Sequence, residues 1–184
     1  MYRIRAASPR TKARVAGIFY LLNFIAGSLA LMLASRNPVM SRNITVFAAG
    51  CYVAVTLLLF ALFKPVSMPI SLTAASFSLL GCAVSVLGAI DVNPAPNPLV
   101  FFGGYCVLIG YLILRSSFFP PILGAALIVA GVGWLTYLIP PLATAIYPYN
   151  VASGALAEGA LTIWLLTVGL NEKRWIDQPR RVAA

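Results

Sequence analysis

The sequence contains no histidine and only four acidic residues, and charged residues of both signs fill just 9% of its 184 positions. Without histidine the chain lacks the commonest general base and metal ligand, and it cannot hold a haem through an axial imidazole. An ordinary soluble domain carries about 25% charged residues. The low charge, 61% hydrophobic residues and a mean hydropathy of +0.93 exclude a soluble domain, a disordered tail and a disulfide scaffold. They indicate a polytopic membrane protein.

Signatures of catalysis are missing as well. The sequence has no Gly-rich phosphate loop of the Walker kind, no Gly-x-Ser-x-Gly elbow and no His-Glu-x-x-His motif. It also lacks a cluster of acidic residues for magnesium-dependent lipid-phosphate chemistry. These absences weigh against an enzyme, although an integral membrane enzyme stays as a lesser alternative, and nothing predicts a cofactor.

The three cysteines, Cys51, Cys82 and Cys106, all lie within apolar runs, and their odd number argues against a structural disulfide. Their predicted depth in the membrane is similar, and Glu158 shares that layer. A Cys-Cys-Cys-Glu site for a soft metal is therefore chemically reasonable. Cysteine is also a small apolar packing residue. This second interpretation is preferred, and no metal site is predicted.

The hydrophobic residues form six runs that approach or exceed the roughly 20 residues of a membrane-spanning helix. These runs are apolar on all sides, unlike the alternating strands of a barrel, so each must satisfy its own backbone hydrogen bonds as a helix. The prediction is one all-α, six-helix transmembrane bundle, between a basic N-terminal arm at 1–14 and a basic tail at 171–184. The predicted spans are 15–34, 44–63, 70–90, 99–114, 121–147 and 151–170.

The distribution of Lys and Arg predicts the orientation of the bundle. On six spans, eleven basic residues share the side of the two termini, whereas the other side has only Arg36 and Arg42. This bias places both termini in the cytoplasm of a bacterial inner membrane. A net charge of +9 would suggest nucleic acid for a soluble protein. Here the basic residues contact anionic lipid head groups instead, and no nucleic-acid partner is predicted.

The first span also has features of a signal peptide, because a basic segment precedes it and Ser28-Leu29-Ala30 has the pattern of a cleavage site. The apolar run continues to Ala34, and cleavage would leave an odd number of spans. A retained helix is therefore predicted.

Small residues recur on several spans, as helix packing in lipid requires. Packing within one bundle is the preferred interpretation, and a homo-oligomer is left open. Tyrosine and tryptophan near helix ends fit interfacial anchoring, whereas Trp134 and Trp164 are expected to face lipid or the core rather than form part of a binding cage. The predicted anchors are Tyr105, Tyr137, Tyr147, Tyr149 and Trp175.

Glu158 is the only acidic residue inside a predicted span. A carboxylate there is costly, so it should face the bundle interior and have a partner. Gly154 and Thr162, at four-residue spacing, form a small and polar stripe with it, which favours an inward orientation. The functional interpretation is a site for a substrate, an ion or a proton, and the structural one is a hydrogen-bonded packing device.

Three other polar residues complete the predicted ligand-binding set with Glu158. Asn23 lies near the middle of the first span, where an amide is expected to bond across helices. Thr162 can bond its own backbone, and Arg115 ends the fourth span, where a snorkelling anchor is commoner than a ligand.

Four segments carry a resemblance to a known family: 14–22 (RVAGIFYLL), 110–124 (GYLILRSSFFPPILG), 130–135 (AGVGWL), and Glu158 followed by 169–171 (GLN). They resemble an uncharacterised bacterial membrane family, the domain of unknown function numbered forty-three eighty-six. The resemblance covers the first helix and roughly the last 75 residues, whereas 67–90 lacks the Arg and Glu of the longer central section in that family. It implies a multi-pass protein and draws attention to Glu158 and Arg115, but it implies no activity.

We therefore expect an integral membrane protein that binds or transports a small molecule or a lipid in an interior pocket near Glu158. The alternative is a non-catalytic component that contacts a partner protein through its helices. In both hypotheses the bundle is embedded in the lipid bilayer and contacts its lipids.

Overall fold

A computed structural model describes residues 8–90, 92 and 97–182, with side chains described as far as Gln178. Residues 1–7 of the predicted basic arm, and 91 and 93–96 of the Pro-rich third connection, lie outside the described residues, as do 183–184. The described part has no β-strand. Its helices are α1 (Pro9–Leu33), α2 (Pro38–Phe63), α3 (Met68–Ala89), α4 (Pro98–Arg115), α5 (Pro121–Leu135), α6 (Pro140–Ala145), α7 (Tyr149–Thr167) and α8 (Glu172–Val182), with a 3-10 turn at Thr136–Leu138.

Proline and a polar cap set where several helices begin. Pro9, Pro38 and Pro98 open α1, α2 and α4, where a missing N–H leaves no helical bond unmade. The preceding side chains accept hydrogen bonds from backbone N–H groups of the first turn. The three bonds run from Thr11 N to Ser8 Oγ (3.2 Å), from Met40 N to Asn37 Oδ1 (3.1 Å) and from Leu99 N to Asn97 Oδ1 (2.9 Å).

Five helical segments are long and apolar enough to cross a membrane: α1 to α4, and α5 with its 3-10 turn. The helix α7 meets the same standard only together with 172–178 of α8, from which it is bent by 108°. The prediction of an all-α polytopic bundle is confirmed, with five spanning helices or six when the bent pair is included.

The crossing helices form a closed ring. Each of α1 to α5 contacts the next, α5 contacts α7, and α7 returns to α1. We call the end with the connections α2–α3, α4–α5 and α7–α8 the terminal end, and the other the opposite end. Arg10 N donates to Glu172 Oε1 (3.2 Å) and Arg14 Nη2 to Thr167 O (3.4 Å), so both ends of the described chain meet at the terminal end.

Large apolar side chains cover the outside of the ring. They include Ile25, Leu57, Leu80, Val129 and Ile163, one each from α1, α2, α3, α5 and α7, and all are exposed. In water this continuous apolar surface would be unfavourable, whereas lipid tails solvate it. The chain is therefore a membrane protein.

Glycines bring the backbones of α4 and α5 into direct contact. A Cβ atom on Gly110 would lie 2.6 Å from Gly124 O, and a Cβ on Gly124 would lie 2.6 Å from Gly110 O. A Cβ on Gly131 would likewise lie 2.7 Å from Gly103 O. No side chain fits at such distances, so these small residues serve close packing inside the bundle.

The fifth predicted span, 121–147, is not one continuous helix. The helix α5 ends at Leu135, and α6 starts only at Pro140. Prolines 140 and 141 have no N–H to donate, and the residue before them, Ile139, is extended (φ −122°, ψ 88°), as is favoured before proline. Residues 136–148 therefore form a bent segment at the opposite end.

The last residues close the terminal end. A left-handed Gly169 (φ 72°) ends α7, and α8 then lies across the bundle rather than leaving it as a solvated tail. Trp175 Nε1 donates to Leu62 O (2.8 Å), and Gln178 Oε1 accepts from Ser117 N (3.0 Å). Beneath α8, the buried rings of Phe63, Phe118 and Phe119 lie with their centroids 5.4–5.7 Å apart.

Candidate functional site

The carboxyl group of Glu158 lies at the centre of the ring, and the residue is only 8% exposed. Tyr20 of α1 donates its hydroxyl to Oε2 at 2.7 Å, and Tyr52 of α2 donates to the same oxygen at 3.3 Å. Trp134 of α5 donates Nε1–H to Oε1 at 3.1 Å. The Cys106 thiol of α4 lies beside the same carboxyl. We call these five residues the Glu158 cluster; they come from five helices.

Gly154 makes room for this arrangement. It lies one turn before Glu158 on α7, and a Cβ atom there would overlap the indole carbons of Trp134 and lie 2.9 Å from Nε1. The missing side chain thus lets the indole approach α7 closely enough to reach the carboxyl. The hydrogen bond from Trp134 Nε1 to Glu158 Oε1 therefore requires a glycine at position 154.

Every described side chain that donates a hydrogen bond to the Glu158 carboxyl is uncharged. Neutral donors stabilise a carboxylate through their dipoles, but they leave its net charge in place. In a membrane interior such a charge is costly unless a cation or water approaches it. The surroundings of the carboxyl therefore decide what it can do.

A cavity of about 220 Å³ reaches the Glu158 carboxyl. Water occupies roughly 30 Å³ per molecule in the liquid, so the cavity has room for roughly seven waters or one small organic molecule. Among the described residues that line it, none is Lys or Arg. The lining residues are Asn23, Thr45, Ala48, Ala49, Tyr52, Ser85, Leu99, Phe102, Trp134 and Glu158.

A second cavity of about 390 Å³ lies towards the opposite end. The two cavities share Thr45 and Ser85 as lining residues. The second is also lined by Arg42, and by Ala34, Pro38 and Pro98, which lie where helices end and begin at that end of the bundle. The two cavities therefore adjoin at Thr45 and Ser85, between Glu158 and the opposite end.

Two larger cavities lie away from the cluster. One of about 560 Å³ lies beside α6, and its described lining contains no charged side chain. The other, of about 650 Å³, is a groove at the terminal end, lined in part by Arg10, Lys173 and Arg174. Neither reaches Glu158, so volume is a poor guide to the polar site here.

The structure places the four residues of the predicted site differently. Glu158 and Asn23 line the same cavity. Thr162 is buried next to them, but its hydroxyl donates to Glu158 O at 2.8 Å and so serves its own helix. Arg115 is exposed at the terminal end, with its guanidinium 6.0 Å from the ring of Tyr111. It lies thirteen residues along α4 from Phe102, roughly 20 Å at 1.5 Å per residue, and does not join the site.

Sequence reasoning missed four members of the cluster. Tyr20 and Tyr52 lie inside predicted spans, and a phenol at membrane depth needs a partner, which was the available signal. Trp134 was expected to face lipid or the core; it is in the core, with its N–H on Glu158. Cys106 carried no signal beyond its predicted depth.

Tyr105 is not an interfacial anchor, as its position near a helix end suggested. It is only 2% exposed, and its ring centroid lies 5.8 Å from that of Tyr52. The helix α4 begins at Pro98, so Tyr105 is already two turns inside the bundle and on its inner face.

The cysteines do not assemble a metal centre in the described part of the chain. Cys51, Cys82 and Cys106 are all buried and free, and the described residues contain no group of three or more His, Cys, Asp or Glu that could hold a metal ion.

Comparison with known proteins adds one finding. No curated protein and no solved structure matches the chain. Residues 97–169 match the model of a family described as Domain of unknown function (DUF4386). This segment runs from the start of α4 to the end of α7, and it contains Cys106, Trp134 and Glu158. The predicted resemblance is thereby confirmed: over residues 97–169 the chain matches the family of Domain of unknown function (DUF4386).

Proposed function

We propose that this membrane protein binds a small molecule in its interior cavity, with Glu158 as the principal ligand-binding residue. One observation carries the proposal: a buried carboxyl lines a cavity that adjoins a second cavity at one end of the bundle. An acidic residue inside a membrane protein is costly and commonly marks a functional site.

The open space beside Glu158 distinguishes this interpretation from a packing device. A purely structural hydrogen-bonded cluster would be enclosed by tightly packed side chains, since interiors rarely leave voids larger than a water molecule. Here Tyr52, Trp134 and Glu158 all line unfilled space. The polar lining from Asn23, Thr45 and Ser85 makes that space suitable for water or for a polar ligand.

The geometry supports access from the opposite end only. The two adjoining cavities meet at Thr45 and Ser85 on that side, whereas the terminal end is filled by Phe63, Phe118 and Phe119 beneath α8. With both termini in the cytoplasm of a bacterial inner membrane, as the charge distribution favours, the cavity faces away from the cytoplasm. Transport would require the terminal end to open, so binding has the more direct support.

The alternative, a component that binds a partner protein through its helices, has less support. The small residues that suggested a helix-binding surface lie largely inside the ring. The glycines of α4 and α5 face each other, and Gly154 contacts Trp134. These positions are already occupied within the chain.

We expect the variant Glu158→Gln to lose a ligand that co-purifies with the wild-type protein. The Gln amide can accept the Trp134 N–H and donate to the two phenols, so the fold and the cavity remain while the charge is removed. Native mass spectrometry of both proteins in mild detergent measures the bound mass. The matched control is Glu172→Gln, which makes the same change at the terminal end and should keep the ligand. Equal occupancy in wild type and Glu158→Gln, or bare protein in both, would contradict the proposal.

Ser85→Cys should react with a membrane-impermeant thiol reagent added from outside the cell. Ser85 lines both cavities, whereas the three native cysteines are at most 4% exposed, so the wild type gives the background. Lys64→Cys, in the exposed α2–α3 connection, is the control and should react only from the cytoplasmic side. Mass shifts after labelling of spheroplasts and of inverted vesicles give the result. Labelling of Ser85→Cys from the cytoplasmic side alone would reverse the proposed orientation.

A further inference from the structure

The Glu158 carboxyl has little remaining capacity to accept hydrogen bonds from a ligand. An ionised carboxylate offers about four lone-pair sites on its two oxygens. Tyr20 and Tyr52 both donate to Oε2, and Trp134 donates to Oε1. The Cys106 thiol lies beside the group as well. At most one site, on Oε1, is left for a ligand.

The charge of the carboxylate, in contrast, is not balanced by the walls of the cavity. Its hydrogen-bond partners are neutral, and the described lining of this cavity contains no Lys or Arg. Arg42 lines the adjoining cavity instead. A cation in the cavity would be attracted through the low dielectric of the interior without forming several N–H bonds. This combination favours a ligand that has a positive charge and few N–H donors.

Aromatic rings form part of the cavity wall. Tyr52, Phe102 and Trp134 all line it, and the centroids of the Tyr52 and Phe102 rings are 4.9 Å apart at an angle of 64°. Aromatic walls attract alkylated ammonium groups through the negative potential of their ring faces, and such groups carry their charge on a bulky apolar surface. Ala48, Ala49 and Leu99 complete an apolar lining that suits N-methyl groups.

We propose that the ligand of this cavity is a small tertiary or quaternary ammonium cation. The proposal rests on the proposed function, and it adds the chemical class of the ligand. A primary ammonium carries three N–H donors, and the carboxyl can accept at most one of them. The cavity volume of about 220 Å³ restricts the cation to about the size of choline.

The test is a matched series of four probes on the purified full-length protein in lipid nanodiscs. Choline is the quaternary member, dimethylethanolamine the tertiary one and ethanolamine the primary one. The tert-butyl analogue of choline, with carbon in place of nitrogen, is uncharged. Equilibrium dialysis or calorimetry gives each dissociation constant. We expect choline and dimethylethanolamine to bind at least about tenfold more tightly than ethanolamine or the uncharged analogue.

Two variants locate the effect in the cavity. Glu158→Gln should weaken choline binding by about tenfold or more, because it removes the negative charge. Phe102→Leu should weaken it by a few-fold, because it removes an aromatic ring from the cavity wall. Neither variant should weaken binding of the uncharged analogue by as large a factor as it weakens binding of choline. The control variant Glu172→Gln should leave all four constants unchanged. Thermal unfolding of each variant confirms that it is folded.

Each other outcome overturns the inference in a distinguishable way. Tighter binding of ethanolamine would show that the carboxyl still has free acceptor sites. Equal binding of the uncharged analogue would show that charge is not recognised, although the cavity would still bind a small molecule. If none of the four probes binds, the ammonium class is wrong. The proposed function then stands or falls separately, on the ligand that native mass spectrometry detects on the wild type.

Discussion

The variant Gly154→Ala is expected to lower the free energy of unfolding by about 2–3 kcal/mol and to abolish ligand binding in the cavity. Its added methyl group would overlap the Trp134 indole, which is buried and cannot move without displacing its neighbours. Movement of the ring breaks the 3.1 Å bond from Nε1 to Glu158 Oε1. A single methyl group thus removes both packing and a cross-helix hydrogen bond.

Unfolding in mixed detergent micelles measures this effect, and tryptophan emission follows the environment of the ring. Gly159→Ala is the matched control, because it lies on the same helix and a Cβ atom there would meet nothing within 4 Å. We expect it to stay within about 0.5 kcal/mol of wild type. If Gly154→Ala were as stable as Gly159→Ala and its emission unchanged, the indole could not occupy the position described.

Gly110→Ala should cost about 1–3 kcal/mol, because its methyl group would meet the carbonyl oxygen of Gly124 at 2.6 Å. The rigid backbone opposite cannot rotate away as a side chain could, so the helices α4 and α5 must separate. Separation also removes the close approach between Gly103 and Gly131 on the same interface. The loss is therefore larger than for a methyl group that meets a flexible side chain.

The reciprocal contact predicts strong coupling between the two positions. Once Gly110→Ala has moved the helices apart, the methyl group of Gly124→Ala meets less resistance. The double variant should then lose less than the sum of the two single variants. A double-mutant cycle on the free energy of unfolding measures the difference, and Gly50→Ala, whose added Cβ would have nothing within 4 Å, is the neutral control. Strict additivity would show that the two helices do not share this contact.

The fold class could be predicted from local sequence features. Long apolar runs give helices in lipid for a general reason, since each helix satisfies its own backbone hydrogen bonds. The predicted second and fourth spans began at 44 and 99, whereas the helices begin at Pro38 and Pro98. At the fifth span, hydropathy continues through Pro140 although the helix does not. Hydropathy measures solvation, and it does not register a missing N–H.

The candidate site was only partly predictable. Glu158 was found because a charge inside an apolar run is conspicuous, and Asn23 because an amide there needs a partner. Arg115 was included although it belongs to the terminal end. Tyr20, Tyr52 and Trp134 were missed as partners, because each alone is an ordinary membrane-protein residue. Their significance depends on which residue of another helix they face.

The amino-acid sequence was sufficient to establish the membrane environment, the all-α class and the one acidic residue of the interior, because these depend on solvation and on bonds within single helices. The tertiary structure alone decided which donors meet Glu158, that a cavity lies beside it and that α8 closes the terminal end. Those features depend on the rotation of each helix about its own axis and on contacts between residues far apart in the chain. Hydropathy specifies neither the rotation of a helix nor its long-range contacts. Close packing between helices, such as that of Trp134 on Gly154, specifies both.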